Sequence, residues 1–391
     1  MEHLKTTVTH DGKSYAVEGW CDPKFNAARD RFVKNFEEGL EIGACIACNI
    51  EGKPVMDLWG GFLDRAQSRD WEKDTIVNMM SVSKAITGIC VYILADRGLI
   101  DPVAPVARYW PEFAANGKEK LQLKYVLDHR AGMALLSEPI PRGSVYEHAT
   151  MAAALARQPA AWEPGTDAGY HVLTQGFILA EVVKRVTGKT LGTFFRTEIA
   201  EPLALDYRIG LDTIDLGRCA EWALPADSPM ARAIIDPYAT AEGAFWQPLA
   251  ADEDFNSVAW RTAEIPSANG HGNARAVARL YGALVLGEQE GIHLMKRDTL
   301  EKMITEQHNT RERYLGRHYH QGSGVVLSSK PNAWMGPNPR AFGHQGAGGA
   351  IGFGDPDAKL GFSYAMNKPH ADVTVPTRAR VIEAIYAALG S

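Results

Sequence analysis

The chain is expected to fold as an α/β protein of the α+β type: an antiparallel sheet built from both termini and flanked by helices, with an inserted, mainly helical domain. Three observations predict this. Strand-like runs cluster near 43–63 and again at 341–366, helical periodicity dominates the sequence between them, and an apolar-faced helix follows the last strand. At 391 residues the chain is long enough to bury a large core.

Taken in order, Phe25, Ala28, Phe32, Val33, Phe36 and Leu40 recur at helical spacing, so a helix over 25–40 begins the predicted fold. Strands follow at about 43–50 and 55–63, and Glu51-Gly52-Lys53-Pro54 supplies the turn of an antiparallel hairpin. Helices are expected near 81–97, 149–157, 172–187, 190–199, 273–286 and 298–306, and short strands near 219–224 and 323–328. The segment 225–270, rich in Pro, Ala, Asp and Trp, reads as a long wall or lid loop. Strands at about 341–344, 349–354 and 360–366 come next, with Asp355-Pro356-Asp357 as a turn. A helix over 376–389 has Pro376 in its first turn and Val381, Ile382, Ile385 and Leu389 on one face. This divides the chain into a sheet domain, 1–78 with 285–391, and a helical insertion, 79–284.

Composition narrows the function. A net charge of −6 offers no basic footprint for nucleic acid or an anionic membrane, and both are set aside as partners. No apolar run approaches the ~20 residues of a spanning helix, and the polar start Met1-Glu2-His3-Leu4-Lys5 is unlike a signal peptide. Five scattered cysteines make a disulfide framework improbable and favour a reduced, cytoplasmic setting. Cys45 and Cys48 form C-x-x-C within a strand-like run. A redox pair opens a helix instead, so these read as small apolar residues.

The chemistry centres on Ser81. Val82, Ala85, Ile86, Ile89, Cys90, Ile93 and Leu94 mark a helix that Gly98 stops, which puts Ser81 at its N-terminus, where unpaired N–H groups favour a developing anion. Lys84 falls one turn on, off the apolar stripe. A plain N-cap explains the serine but leaves unexplained a first-turn lysine that opposes the helix dipole. Tyr170, at the mouth of the helix expected from 172, is placed to act as a proton shuttle. The run Gly343-His344-Gln345-Gly346-Ala347-Gly348-Gly349 lets a ligand approach a strand backbone that can donate N–H groups to an oxyanion. Asp128 and His129 read as stabilising the insertion, and His171 as orienting Tyr170 or lining an acyl pocket. His318 and His320 read as loop residues without a third metal ligand, and Phe245, Trp246, Trp260 and Trp334 as walls of an apolar site. No G-x-S-x-G is present, which removes the α/β-hydrolase elbow.

Ser81-Val82-Ser83-Lys84, Tyr170-His171-Val172 and His344-Gln345-Gly346 together resemble the three ordered motifs of serine β-lactamase-like proteins, above all the family VIII carboxylesterases. Trp59-Gly60-Gly61, the run 106–113, Leu127–Gly132 and Pro266–Gly272 extend the resemblance over nearly the whole chain. It implies Ser81 as nucleophile, Lys84 as its base or proton relay, and Tyr170 as the partner base that also activates the deacylating water. It implies an oxyanion hole from the N–H groups of Ser81 and Ala347, and substrate contacts from His344, Gln345, Gly346 and Gly348. No cofactor or metal is required, and the partner is a small-molecule ester; oligomeric state is not specified. Two departures from the β-lactamase pattern stand out. Val172 replaces an asparagine, and His344-Gln345 replaces a lysine-threonine pair, with loss of charge assistance to a carboxylate. Both favour neutral short-chain esters, with slow β-lactam hydrolysis still open. A β-lactamase, a D-aminopeptidase or amidase, an acyltransferase and a non-catalytic scaffold remain as alternatives.

Overall fold

The computed structural model describes residues 1–237, 243–249, 255–331, 333–370 and 376–390. In chain order its strands are β1 Glu2–His10, β2 Lys13–Cys21, β3 Gly43–Ile50, β4 Lys53–Gly61, β5 Val77–Asn78, β6 Tyr207–Ile209 and β7 Gly270–Gly272. Then come β8 His308–Arg311, β9 His318–Gln321, β10 Val326–Leu327, β11 Phe342–Gln345, β12 Ile351–Asp355 and β13 Leu360–Met366. The α-helices are α1 Asn26–Glu37, α2 Val82–Asp96, α3 Leu123–Leu127, α4 His148–Arg157, α5 Thr174–Thr187 and α6 Leu191–Phe195, followed by α7 Pro229–Ile235, α8 Val258–Thr262, α9 Ala274–Leu286, α10 Arg297–Ile304 and α11 Pro376–Leu389.

Ten strands form one antiparallel sheet in the order β1-β2-β4-β3-β13-β12-β11-β10-β9-β8. Strand β13 joins the two ends of the sequence, pairing with β3 from Leu360↔Ile50 to Met366↔Ala44. Successive side chains of a strand point to opposite faces, and the sheet uses both. On one face Tyr364 meets Phe32 of α1 edge-on at 6.0 Å, and Phe353 packs on Phe362 at 5.3 Å. The alternate positions Gly352, Gly354 and Gly361 admit α9 onto the other face. A Cβ on Gly361 would lie 2.2 Å from the Ala278 carbonyl, and one on Gly352 2.3 Å from Val277. Helix α9 therefore lies directly on the sheet, across the boundary expected at residue 285.

A second sheet, β5-β7-β6, carries the chain into α2. Helix α2 is buried from Val82 to Leu94 on every side, so it has no solvent face of the kind its apolar stripe implied. A Cβ at Gly88 would lie 2.7 Å from the Gly324 carbonyl, which shows how closely the helix axis is packed.

Several sequence expectations change. The hairpin β1–β2 precedes α1, so a helix does not begin the fold. The stretch 219–224 contributes one isolated bridge, Ile76↔Cys219, and 323–328 shortens to β10. The helix expected at 190–199 is α6 continued by a π turn, Arg196–Ala200. The supposed loop 225–270 contains α7, a 3₁₀ turn at Gly243–Trp246 and α8; its residues 238–242 and 250–254 lie outside the described ones. His318 and His320 belong to β9, and His320 pairs with Glu306 at 2.6 Å. Cys45 and Cys48 are buried and unpaired on β3, and burial pushes the Cys45 thiol up to about 12, away from the reactive thiolate. Among the described residues no helix is long and apolar enough to cross a membrane.

Candidate active site

Ser81 is presented by a strand-to-helix turn. Pairing of Val77 with Gly272 and Asn78 with His271 fixes the strand, and the Met79 N–H donates to the Gly270 carbonyl at 2.9 Å. Met80 then takes a left-handed conformation, φ 49, which costs a non-glycine residue about 1–3 kcal/mol. Asn78 Oδ1 holds it by accepting the Met80 N–H at 3.0 Å, and Ser83 Oγ donates to the Met80 carbonyl at 2.7 Å. The Ser81 side chain makes no capping bond, so it is not engaged as an ordinary N-cap.

Lys84 is completely enclosed. Its Nζ lies 2.7 Å from the Val172 carbonyl, 2.9 Å from the Ser267 carbonyl and 3.3 Å from Ser81 Oγ, and no carboxylate pairs with it among the described residues. Loss of hydration holds its pKa well below that of an ordinary lysine. The amine also sits 5.0 Å from the centroid of the Tyr170 ring.

Tyr170 is fixed from several sides. Its backbone N–H donates to Glu312 Oε2 at 3.1 Å, Tyr319 stacks on the ring at 5.2 Å and 5°, and His129 packs at 4.7 Å. Burial raises the phenol pKa well above normal, the neighbouring Tyr319 adds to the rise, and a hydrogen bond with Ser81 opposes it. His129 therefore contacts the tyrosine itself. His171 donates from Nδ1 to the Gly169 carbonyl at 2.6 Å and accepts the Met133 N–H at Nε2, 3.1 Å, so it braces the segment bearing Tyr170.

Strand β11 completes the cluster with His344 and Gln345. Gly346 has no room for a side chain: a Cβ there would lie 2.2 Å from the Met79 carbonyl, so this residue brings the turn at 346–349 against the one bearing Ser81. The N–H groups of Ser81 and Ala347 have no acceptor among the described residues. Arg378 of α11 ties this turn down, donating to the Gly349 carbonyl and to Gln345 Oε1, both at 2.7 Å.

Ser81, Tyr170, His344, Gln345 and the turn 346–349 line one cavity of about 390 Å³. Its far wall is largely apolar, with Trp222, Leu224, Met230, Phe245, Trp246 and Leu315. Phe245 and Trp246 are where the sequence suggested a wall. Trp260 is instead core, 4.7 Å from Phe255, and Trp334 stands beneath Lys330 outside the cavity. Sequence reasoning missed Trp222, Glu312, Tyr319 and Arg378. None sits in a recognisable motif; the aromatic Tyr319 between His318 and His320 was the one available signal.

Known proteins share this architecture. The chain is 32% identical over 383 residues to an esterase/beta-lactamase, LipL, of Mycobacterium tuberculosis, covering 93% of this chain and 86% of LipL. Its fold superposes on a family VIII carboxylesterase with a TM-score of 0.87 and 38% identity, over 95% of this chain and 99% of that one. A penicillin-binding protein homolog from Caulobacter crescentus follows at 0.86 and 34%, with the same coverage. The beta-lactamase family profile matches residues 32–387, and with the sheet, the enclosed lysine and the glycine turn in place, the chain belongs to that family.

Proposed function

We propose that this protein is a carboxylesterase that cleaves short-chain esters of small molecules through an acyl-enzyme on Ser81. The observation that carries the reading is the set of contacts around Lys84 Nζ. A neutral amine has two N–H bonds and one lone pair. The Val172 and Ser267 carbonyls take the two hydrogens, and the lone pair remains for the Ser81 hydroxyl. The lowered pKa of Lys84 and the raised pKa of Tyr170 favour an amine and a phenol before substrate arrives.

In the first step Ser81 Oγ bonds to the ester carbonyl carbon while its proton passes to Lys84. The carbonyl oxygen becomes an oxyanion, held by the N–H groups of Ser81 and Ala347. As the C–O bond to the alcohol breaks, Tyr170 gives its proton to the leaving oxygen and recovers one from Lys84. Water then repeats the sequence in reverse, losing a proton through Tyr170 to Lys84, releasing the acid and returning the proton to Ser81. Gln345, Gly346 and Gly348 frame the substrate, and no cofactor enters any step. Slow β-lactam hydrolysis is a second reading, favoured by the kinship with LipL and the penicillin-binding protein homolog. The five unpaired cysteines support a reducing, cytoplasmic setting.

Replacing Ser81 by alanine should lower turnover of 4-nitrophenyl butyrate by about 10³-fold or more, with an unchanged circular dichroism spectrum. Hydrolysis at the wild-type rate would sink the assignment. A fluorophosphonate should add one mass increment to the wild type and none to Ser81→Ala.

A further inference from the structure

His344 contains an acceptor that the protein leaves unused. Its Nδ1 lies 2.6 Å from the carbonyl of Gln345. A carbonyl only accepts, so Nδ1 carries the hydrogen, and in a neutral ring Nε2 is left as a bare lone pair. That Nε2 is buried with no hydrogen-bond partner among the described residues, on a side chain only 3% exposed. His344 also lines the cavity that contains Ser81 and Tyr170. Burial depresses the ring to about 3, so it stays neutral wherever the enzyme is folded near neutrality. His271 has a similar unpartnered Nε2, with its Nδ1 on the Asn269 carbonyl at 2.6 Å, but it does not line the cavity. Of these two rings, only His344 lines the cavity.

Resting on the esterase reading above, we propose that His344 Nε2 is a specificity site for a hydrogen-bond donor on the substrate, a hydroxyl on the acyl or the alcohol half of the ester. An ester with a hydrogen in the same place leaves the buried lone pair unpaired. One with a carboxylate there sets lone pairs against a lone pair, which is worse. Sites built around a substrate donor discriminate strongly against analogues that lack it.

Two matched pairs test this and separate the two sources of the hydroxyl: 4-nitrophenyl 3-hydroxybutyrate against 4-nitrophenyl butyrate, and 2-hydroxyethyl butyrate against propyl butyrate followed by pH-stat. In one pair the hydroxyl member should have a kcat/KM at least about 10-fold higher. 4-Nitrophenyl hemiglutarate, which carries a carboxylate, should be the slowest aryl ester. In His344→Phe the favoured ratio should collapse to within about 2-fold; because it is read within one variant, a general loss of rate does not obscure it. Ratios near one in both wild-type pairs overturn the proposal, whatever the variant does. So does a ratio that survives in His344→Phe, or a carboxylate ester that outruns butyrate. A wild type that hydrolyses no ester and takes up no fluorophosphonate overturns the underlying esterase reading and this proposal with it.

Discussion

The two halves of the ten-stranded sheet are built on different terms. In β1, β2, β4, β3 and β13 the strands are 9, 9, 9, 8 and 7 residues long, and β1 and β2 pair without interruption from Glu2↔Cys21 to His10↔Lys13. In β12, β11, β10, β9 and β8 they are 5, 4, 2, 4 and 4 residues long. The sheet's share of the site comes from this second half: His344 and Gln345 on β11, Tyr319 on β9, and the turns beside them. Long ladders are held by their own cross-strand pairs. Short ones need side chains from elsewhere, and here Glu312 and Arg378 supply them. Glu312 alone accepts the N–H groups of Tyr170, Tyr314, Leu315 and Arg317 at 3.1, 3.0, 2.6 and 3.3 Å. Apart from one register shift at Cys48/Asn49 between β3 and β4, short and broken pairing is found in the half that contributes to the candidate site.

The sharpest way to break this contrast is a pair of glycine substitutions. Gly346→Ala should reduce kcat by about 10²-fold or more, because its Cβ would press on the Met79 carbonyl and move the Ala347 N–H, a proposed oxyanion donor, away from that of Ser81. Gly60→Ala, in the regular half, would place a Cβ 2.5 Å from the Ala16 carbonyl. It should lower stability by about 1–3 kcal/mol while kcat holds. Equal losses of kcat in the two variants would erase the distinction.

Acid should act through the buried histidines. In His171, His271 and His344 burial depresses the ring to about 3, and in His129 it lowers the pKa well below normal. An unfolded histidine takes its proton near 6.5. Between these values the unfolded chain binds more protons, so stability falls as pH drops from about 6.5 toward 3, by about 1 kcal/mol per such histidine over the first unit. Melting temperatures at pH 7.5, 6.5 and 5.5 would show it; a flat profile would mean that the rings are not held neutral.

The smallest effect belongs to Glu312→Gln. The amide keeps the shape and one acceptor oxygen but loses the charge that gathers four N–H groups. kcat should fall several-fold and the melting temperature by a few degrees, with KM shifted through Leu315 and Arg317. No change in either would make the carboxylate a bystander.

Much of this was legible in the sequence, and the failures have physical causes. Helix α11 lies where its apolar face predicted, and the strands of the β3–β4 hairpin and β11–β13 fall within a few residues of their expected bounds. The β1–β2 hairpin escaped notice because Leu4, Thr6 and Val8 on β1 are only half-buried between exposed polar residues, which leaves no strong apolar alternation. Ser81, Lys84, Tyr170 and His344, which the fold brings together, were visible because the chemistry proposed for them is tied to spacing within short motifs. The enclosure of Lys84 was not, since it depends on the carbonyls of Val172 and Ser267, distant in sequence and featureless as residue types. Glu312 and Arg378 stayed hidden for a related reason: each acts through backbone groups or an amide, and such partners leave no signature in sequence.

The insertion of β13 between β3 and β12 also has a consequence in time. The ribosome delivers Ser81 and Lys84 early and His344 and Ala347 late, and the strand that joins the two ends of the sheet emerges after all of them. Contacts so far apart in sequence form slowly and near the end of folding. A nascent chain that has emerged only as far as β12 therefore lacks the strand that joins the turn at 346–349 to the half of the sheet holding β3, and the two turns of the candidate site stay apart until β13 has left the ribosome.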